Sequence, residues 1–372
     1  MQDAKDGAAD LRSTIADHER WLASEEKSGS RADLEGRDLR GAALTNANLS
    51  RANLAHADFA DADLFGASLS QSNLRGADLT NAMGLSAAQL AGADLMSAKL
   101  PAAIAGFDGL AQVANLSKNA ARTFAFLVFA CLYSCVTVAM TTDARLLTRF
   151  VSSPLPVIQT AIPLFLFYIV APFIITALYL YLHLQLQGLW EEIATLPAVF
   201  PDGRTLSSKV HPWLLTSLAQ RFGTDQRRRS AARLLEMAIA WLSAWALEPI
   251  TLMIFWLRYL PRHDGAGSVV HVALLGLSTV VGTWSHQRAA GFLSHQEPRA
   301  TSPLPVALGS AIIIGGAILS YGAIRGIDVA AENQRTPARL TASAPWFRTA
   351  VPSLFTKLGL RAFADMKDAA VS

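Results

Sequence analysis

Residues 31–80 read RADLE GRDLR GAALT NANLS RANLA HADFA DADLF GASLS QSNLR GADLT, and this stretch decides how the front of the chain folds. A large apolar residue returns every five positions, at Leu34, Leu39, Leu44, Leu49, Leu54, Phe59, Leu64, Leu69, Leu74 and Leu79. Two positions before each centre stands Ala or Ser, with Arg37 as the one large exception. A helix repeats near 3.6 residues and a strand at 2, so a period of five fits neither. It fits a coil with flat sides, each pentapeptide forming one side, the Leu or Phe pointing to the axis and the methyl group sitting where neighbouring turns close in. The other positions hold Asn, Asp, Ser, Thr, Arg and Gly, which suit water and turns. The period slips by one at NAMGLSAAQL (81–90) and resumes at Leu85, Leu90, Leu95 and Leu100, with Ala88, Ala93 and Ala98 two before.

These residues resemble the pentapeptide-repeat family, whose motif is A(D/N)LXX. The resemblance covers 31–102 and implies a right-handed quadrilateral β-helix with four repeats per coil. That gives about 3.5 coils and, at the strand spacing of ~4.8 Å, a post ~17 Å tall. A solenoid's ends need covers. Residues 10–27, DLRSTIADHERWLASEEK, put Leu11, Ile15, His18, Trp21 and Leu22 on one helical face. The HxxWL element there looks like the short helix that precedes such repeats, so His18, Trp21 and Leu22 are expected to pack as a cap. The far end of the solenoid is expected to abut a membrane.

The rear of the chain has a different composition. The whole is 52% hydrophobic and 16% charged, against about 25% charged in an average soluble domain. Residues 1–115 carry 10 Lys/Arg against 16 Asp/Glu, and the rest carry 22 against 13. A membrane span needs ~20 apolar residues, and five candidates appear at about 123–142, 156–183, 235–258, 267–285 and 303–324. The expected organisation is a capping helix at 1–30, the β-helix at 31–102, a linker at 103–120, an all-α transmembrane domain of about five helices (four to six) at 121–325, and a tail at 326–372. Basic residues mark the cytoplasmic side. Arg227, Arg228, Arg229 and Arg233 therefore place the loop 184–233 and the solenoid in the cytoplasm, consistent with a first thirty residues lacking an apolar signal region. In the tail, a basic amphipathic helix at about 345–365 suits an anionic lipid surface. The segments LHLQLQGLWEEIATLPAVFPDGR (182–204) and FWLRYLPRHD (255–264) look like parts of bacterial multi-pass proteins that join pentapeptide repeats to this membrane module. That likeness implies the bacterial inner membrane and no settled activity.

Candidate chemistry is sparse. Glu248 lies inside the third span just before Pro249. A carboxyl there is expensive and pairs, protonates or lines a polar path. It reads either as a proton or cation site, or as a structural hydrogen bond beside the carbonyl that Pro249 frees. His183, His211, His263, His271, His286 and His295 are scattered, with no HxxxH or HExxH pairing, and read as residues of the membrane boundary. Cys131 and Cys135 share a helix face and cannot bridge within it. No catalytic motif, metal set or cofactor site is expected. The expected function is a non-enzymatic membrane scaffold whose solenoid binds a protein partner or a second copy of the chain. An ion channel, transporter or membrane-disrupting effector regulated by the solenoid is the alternative. A DNA-mimic topoisomerase binder is the minor one, and nucleic acid is not an expected ligand.

Overall fold

The computed structural model describes residues 2–107, 109–142, 146, 152–154, 161–209, 235, 238–262, 264–294 and 302–335. The chain divides into two compact units. The first comprises 1–121, 185–240 and 289–298; the second comprises 122–184, 241–288 and 299–372.

The first unit opens with helix α1 (Gln2–Ala23), followed by the repeats. Parallel single-residue bridges link Asp33 to Asn53, Asp38 to Asp58, Ala43 to Asp63 and Asn48 to Ser68. A separation of twenty residues is four pentapeptides per coil. Each side is held by reciprocal hydrogen bonds to the next coil: Leu34 N–H donates to Asn53 O at 2.8 Å, and Asn53 N–H to Ala32 O at 2.9 Å. The centres from Leu34 to Leu79 are buried, as are Leu90 and Leu95. The second residue after each centre turns the corner with a left-handed backbone, at positions 36, 41, 46, 51, 56, 61, 66, 71, 76 and 81. That explains why Gly, Asn and Asp crowd those positions, since other side chains are strained there.

The register slip differs from the sequence reading. Met83 still pairs with Asp63, but the next bridges, Asn73 to Asp94 and Asp78 to Lys99, are twenty-one apart. The extra residue is absorbed at Gly84–Leu85–Ser86, ahead of a 3-10 turn at Ala87–Leu90. Gly84 has φ of 69°, and a Cβ there would meet Phe65 Cα at 2.6 Å, so only glycine fits. Leu85 is thereby pushed out of the axis and is half-buried. Leu100, on the last rung, is half-buried too.

The far end of the solenoid is covered by protein from about a hundred residues downstream. Segment 196–201 lies along the last coil. Gly92, Leu95 and Ser97 donate to the carbonyls of Leu196, Val199 and Pro201 at 2.9, 3.0 and 3.0 Å. Val199 pairs in parallel with Asp94, which extends one column through Asp33, Asn53, Asn73, Asp94 and Val199. The segment then folds back, Val199 bridging Thr205 antiparallel, and Phe200 is buried edge-on against Phe107 at 5.1 Å. The expected linker is also shorter than 103–120, because helix α2 (Gly109–Ala139) begins at Gly109.

The second unit is helical. Besides its part of α2 it holds a short antiparallel pair, β1 (Ser152–Pro154) and β2 (Ala161–Pro163), and its part of α3 (Leu164–Ala194). The expected second span from 156 therefore starts late. Pro163 ends β2, and the helix begins immediately after it. A π-helical turn (Leu242–Ala246) leads into α4 (Leu247–Tyr259), followed by α5 (Gly265–Ser294) and α6 (Leu304–Arg335). Among the described residues five helices are long and apolar enough to cross a membrane: Gly109–Ala139, Leu164–Ala194, Ala238–Arg262, Gly265–Ala289 and Leu304–Tyr321. Helices α5 and α6 approach through glycine. A Cβ at Gly276 would collide with Ile313, and one at Gly309 with Val280. Small residues of this kind let apolar helices pack where lipid removes the hydrophobic drive between them.

Candidate functional site

At the start of the solenoid there is no preceding coil, so Ala32 N–H and Ser50 O lack the partners their equivalents enjoy. His18 supplies both. Its Nδ1 accepts from Ala32 N–H at 3.1 Å, and its Nε2–H donates to Ser50 O at 2.9 Å. The ring is fully buried and stacks on the half-buried Trp21, with centroids 5.5 Å apart. Leu22 is half-buried beside it in sequence. Burial holds the imidazole below its usual range, with the bond to Ser50 opposing. The neutral ring is what the geometry needs, because Nδ1 must accept.

Four of the eight acids in the repeats, Asp38, Asp58, Asp78 and Asp94, are ion-paired within the solenoid. Arg40 makes a two-pronged contact with Asp38 at 2.9 and 2.6 Å and lies 3.7 Å from Asp58. Lys99 reaches Asp78 at 2.7 Å, and Arg75 reaches Asp94 at 2.7 Å. The hydrogen bond from Arg40 takes the Asp38 carboxyl down to about 2, and that from Lys99 does the same for Asp78. Against this polar surface two large apolar side chains stand out on one face: Phe65, 67% exposed, and Met83 on the next rung, 59% exposed.

In the helical unit Glu248 is buried, 1% exposed. Its Oε1 accepts from Thr176 Oγ1 of α3 at 3.1 Å and from Ser278 Oγ of α5 at 2.8 Å. Its Oε2 has no hydrogen-bond partner among the described residues. Pro249 cannot donate to the carbonyl four residues back, that of Trp245. Tyr179 Oη of α3 donates to that carbonyl at 3.4 Å. The π-turn that ends at Ala246, two residues before Glu248, is a local irregularity of the kind found at functional positions.

Two histidines join this region, contrary to the boundary reading. His183 and His271 are each 1% exposed and lie inside helices α3 and α5. His183 Nδ1 is 2.9 Å from Ser285 Oγ. His271 Nδ1 is 2.7 Å from Gly267 O, and its Nε2 is 3.0 Å from Tyr168 O. Helix α5 therefore presents His271, Ser278 and Ser285 at intervals of seven, one line along one face. Sequence reasoning singled out Glu248 but not Thr176, Ser278 or Tyr179, because ordinary hydroxyl residues carry no signal until packing brings them together. Arg227, Arg228, Arg229 and Arg233, like the amphipathic tail at 345–365, lie outside the described residues.

No curated protein and no solved structure matched the chain. Residues 30–64 and 57–100 match the family described as pentapeptide repeats, in eight copies. The match spans the coil bounded by His18 and Val199 and none of the five apolar helices, so the front of this chain is similar to pentapeptide-repeat proteins.

Proposed function

We propose that the protein is a membrane-anchored interaction scaffold, with its repeats forming a right-handed quadrilateral β-helix on the cytoplasmic side and a protein partner bound along the sides of that post. The observation that carries this reading is the closure of both ends. His18 occupies one end, and residues 196–201 occupy the other. Stacking of solenoids end to end is thereby disfavoured, and recognition falls to the sides. The face bearing Phe65 and Met83 suits this role, because partly apolar anchors within a polar surface are what protein partners bury. The pairing of Asp38, Asp58, Asp78 and Asp94 with Arg40, Arg75 and Lys99 supports a protein over the mimicry of a phosphate backbone, whose charge is unpaired.

The test is in-cell photo-crosslinking of the full chain from position 45, exposed on the coil next to Phe65, with and without Phe65→Asp/Met83→Asp. A reproducible cross-linked protein that disappears in the double variant is expected. No protein adduct from wild-type cells, or an adduct indifferent to the double variant, overturns the reading.

A further inference from the structure

We propose that the helical unit carries protons along the seam between α3 and α5, with Glu248 as its central proton-binding site and His271 and His183 one heptad to either side.

Oε1 of Glu248 accepts two hydroxyl bonds while Oε2 has none. That asymmetry is the pattern of a neutral carboxylic acid, with Oε1 as the carbonyl oxygen and Oε2 as the seat of the proton. A buried carboxylate with one bare oxygen would be far costlier. Among the described residues, the groups recorded against it supply no permanent cation: Cys131 from α2, Thr176 and Tyr179 from α3 and Ser278 from α5. Tyr179 is the neighbour that links onward. It lies one turn from Thr176, and its ring meets that of His183 edge-on with centroids 4.3 Å apart. Trp245 and His286 pack on the same side, at 5.2 Å.

On the other side, both ring nitrogens of His271 face carbonyl oxygens, at 2.7 and 3.0 Å. A carbonyl cannot donate, so the ring satisfies both only when both nitrogens carry protons; the neutral ring leaves one contact unbonded. The rings of Tyr259 and Phe255 lie 4.9 and 6.3 Å away and suit a cation at that position. His271 can thus hold or release a proton with its partners already in place. Along α5, His271, Ser278 and Ser285 mark stations seven residues apart, about 10 Å each at 1.5 Å per residue. Three protonatable groups, His271, Glu248 and His183, are therefore aligned over about 20 Å of an apolar bundle, and files of buried Asp, Glu and His are how membrane helices move protons. In each step a proton arriving at Oε2 neutralises the carboxylate, and its departure to the next acceptor restores the charge. No other reactant is consumed.

The experiment uses the full chain in proteoliposomes with an internal pH dye and a potassium diffusion potential. Wild type is expected to acidify the interior faster than protein-free vesicles, at a rate unchanged when external sodium is replaced by choline. Glu248→Gln should return flux to the protein-free background, whereas Glu248→Asp, which keeps the acid, should retain part of it. Infrared spectra of the same samples should contain a protonated-carboxyl band at neutral pH that is missing in Glu248→Gln, a readout independent of transport. Wild-type flux equal to empty vesicles, flux that follows sodium, or flux and band both intact in Glu248→Gln each overturn the proposal.

Discussion

The two units solve the same problem, the pairing of polar groups away from water, in opposite ways. In the solenoid the main chain does it periodically. Each coil hands its N–H and C=O groups to the next, and the two ends are finished by groups from elsewhere, the His18 ring and the carbonyls of residues 196–201. In the helical unit each helix satisfies its own backbone, and the burden falls on single side chains: Thr176 and Ser278 on Glu248, Tyr179 on the carbonyl freed by Pro249, Ser285 on His183. A ladder leaves almost nothing unpaired and tolerates little change at its axis. A set of isolated side-chain contacts leaves Glu248 Oε2 without a partner among the described residues. On the two proposals above, recognition would belong to the first unit and charge movement to the second.

The sharpest way to break this comparison is to empty the axis. Phe59 is fully buried in the middle of the coil. Phe59→Ala should cost about 3–5 kcal/mol, the usual range for an unfilled aromatic cavity. Amide exchange of the full chain in detergent should show protection lost across 34–98 and kept in α4 and α5. An equal loss in both units would mean that they unfold as one, and the contrast would fail.

A smaller effect is expected at the downstream seal. Val199→Pro removes an N–H that points at Ala93 O and displaces the carbonyls that Gly92, Leu95 and Ser97 use. Losing two or three net hydrogen bonds at about 1 kcal/mol each gives about 2–3 kcal/mol. Exchange should rise at 92–98 first and leave 34–49 unaffected. Uniform protection would mean that segment 196–201 decorates the coil without closing it.

Next in size is the upstream seal. His18→Ala leaves Ala32 N–H and Ser50 O unpaired and should cost about 1–3 kcal/mol. The wild-type ring has a lowered pKa when folded, so the unfolded chain binds the extra proton first. Stability from this residue is complete above the unfolded value of 6.5 and is lost as pH falls below it, through the lowered folded value. The His18→Ala variant should be flat over that interval. Both proteins should then weaken together below the ordinary aspartate value of 3.8, where Asp38 and Asp78, held at about 2, begin to protonate.

What was legible in the sequence follows the same division. Ten centres from Leu34 to Leu79 were readable because a ladder repeats its environment every five residues. Leu85 does not follow the period for the same reason: a period can report that a residue is inserted but not where the backbone absorbs it, and the old register runs on through Met83 so that the bulge falls later, at Gly84–Leu85–Ser86. The seal by Val199 had no period to betray it and joins positions about a hundred residues apart. In the helical unit Glu248 was visible because a lone acid in an apolar run is conspicuous. Its partners were not, since Thr176 and Ser278 look like any hydroxyl until three helices meet. His183 and His271 were assigned to span edges, but their spans continue beyond them, α3 to Ala194 and α5 upstream to Gly265.

The finest test of the ladder concerns its corners. His56 sits at a corner with φ of 59°, where a side chain costs about 1–2 kcal/mol, while Asn46, Asp61 and the glycines of the series suit the same conformation. The ring is exposed and folds over the next coil at Gly76. His56→Gly relieves the strain but increases the entropy of the unfolded chain, a loss of about 0.5–1 kcal/mol. The net should be a gain of about 0.5 kcal/mol, within those two ranges. It should appear as slower exchange of the 54–58 amides with no change in the helical unit. A loss of stability would show that the ring's cover of Gly76 outweighs the strained corner, and that the sides of the post are set by side-chain packing as much as by the backbone turn.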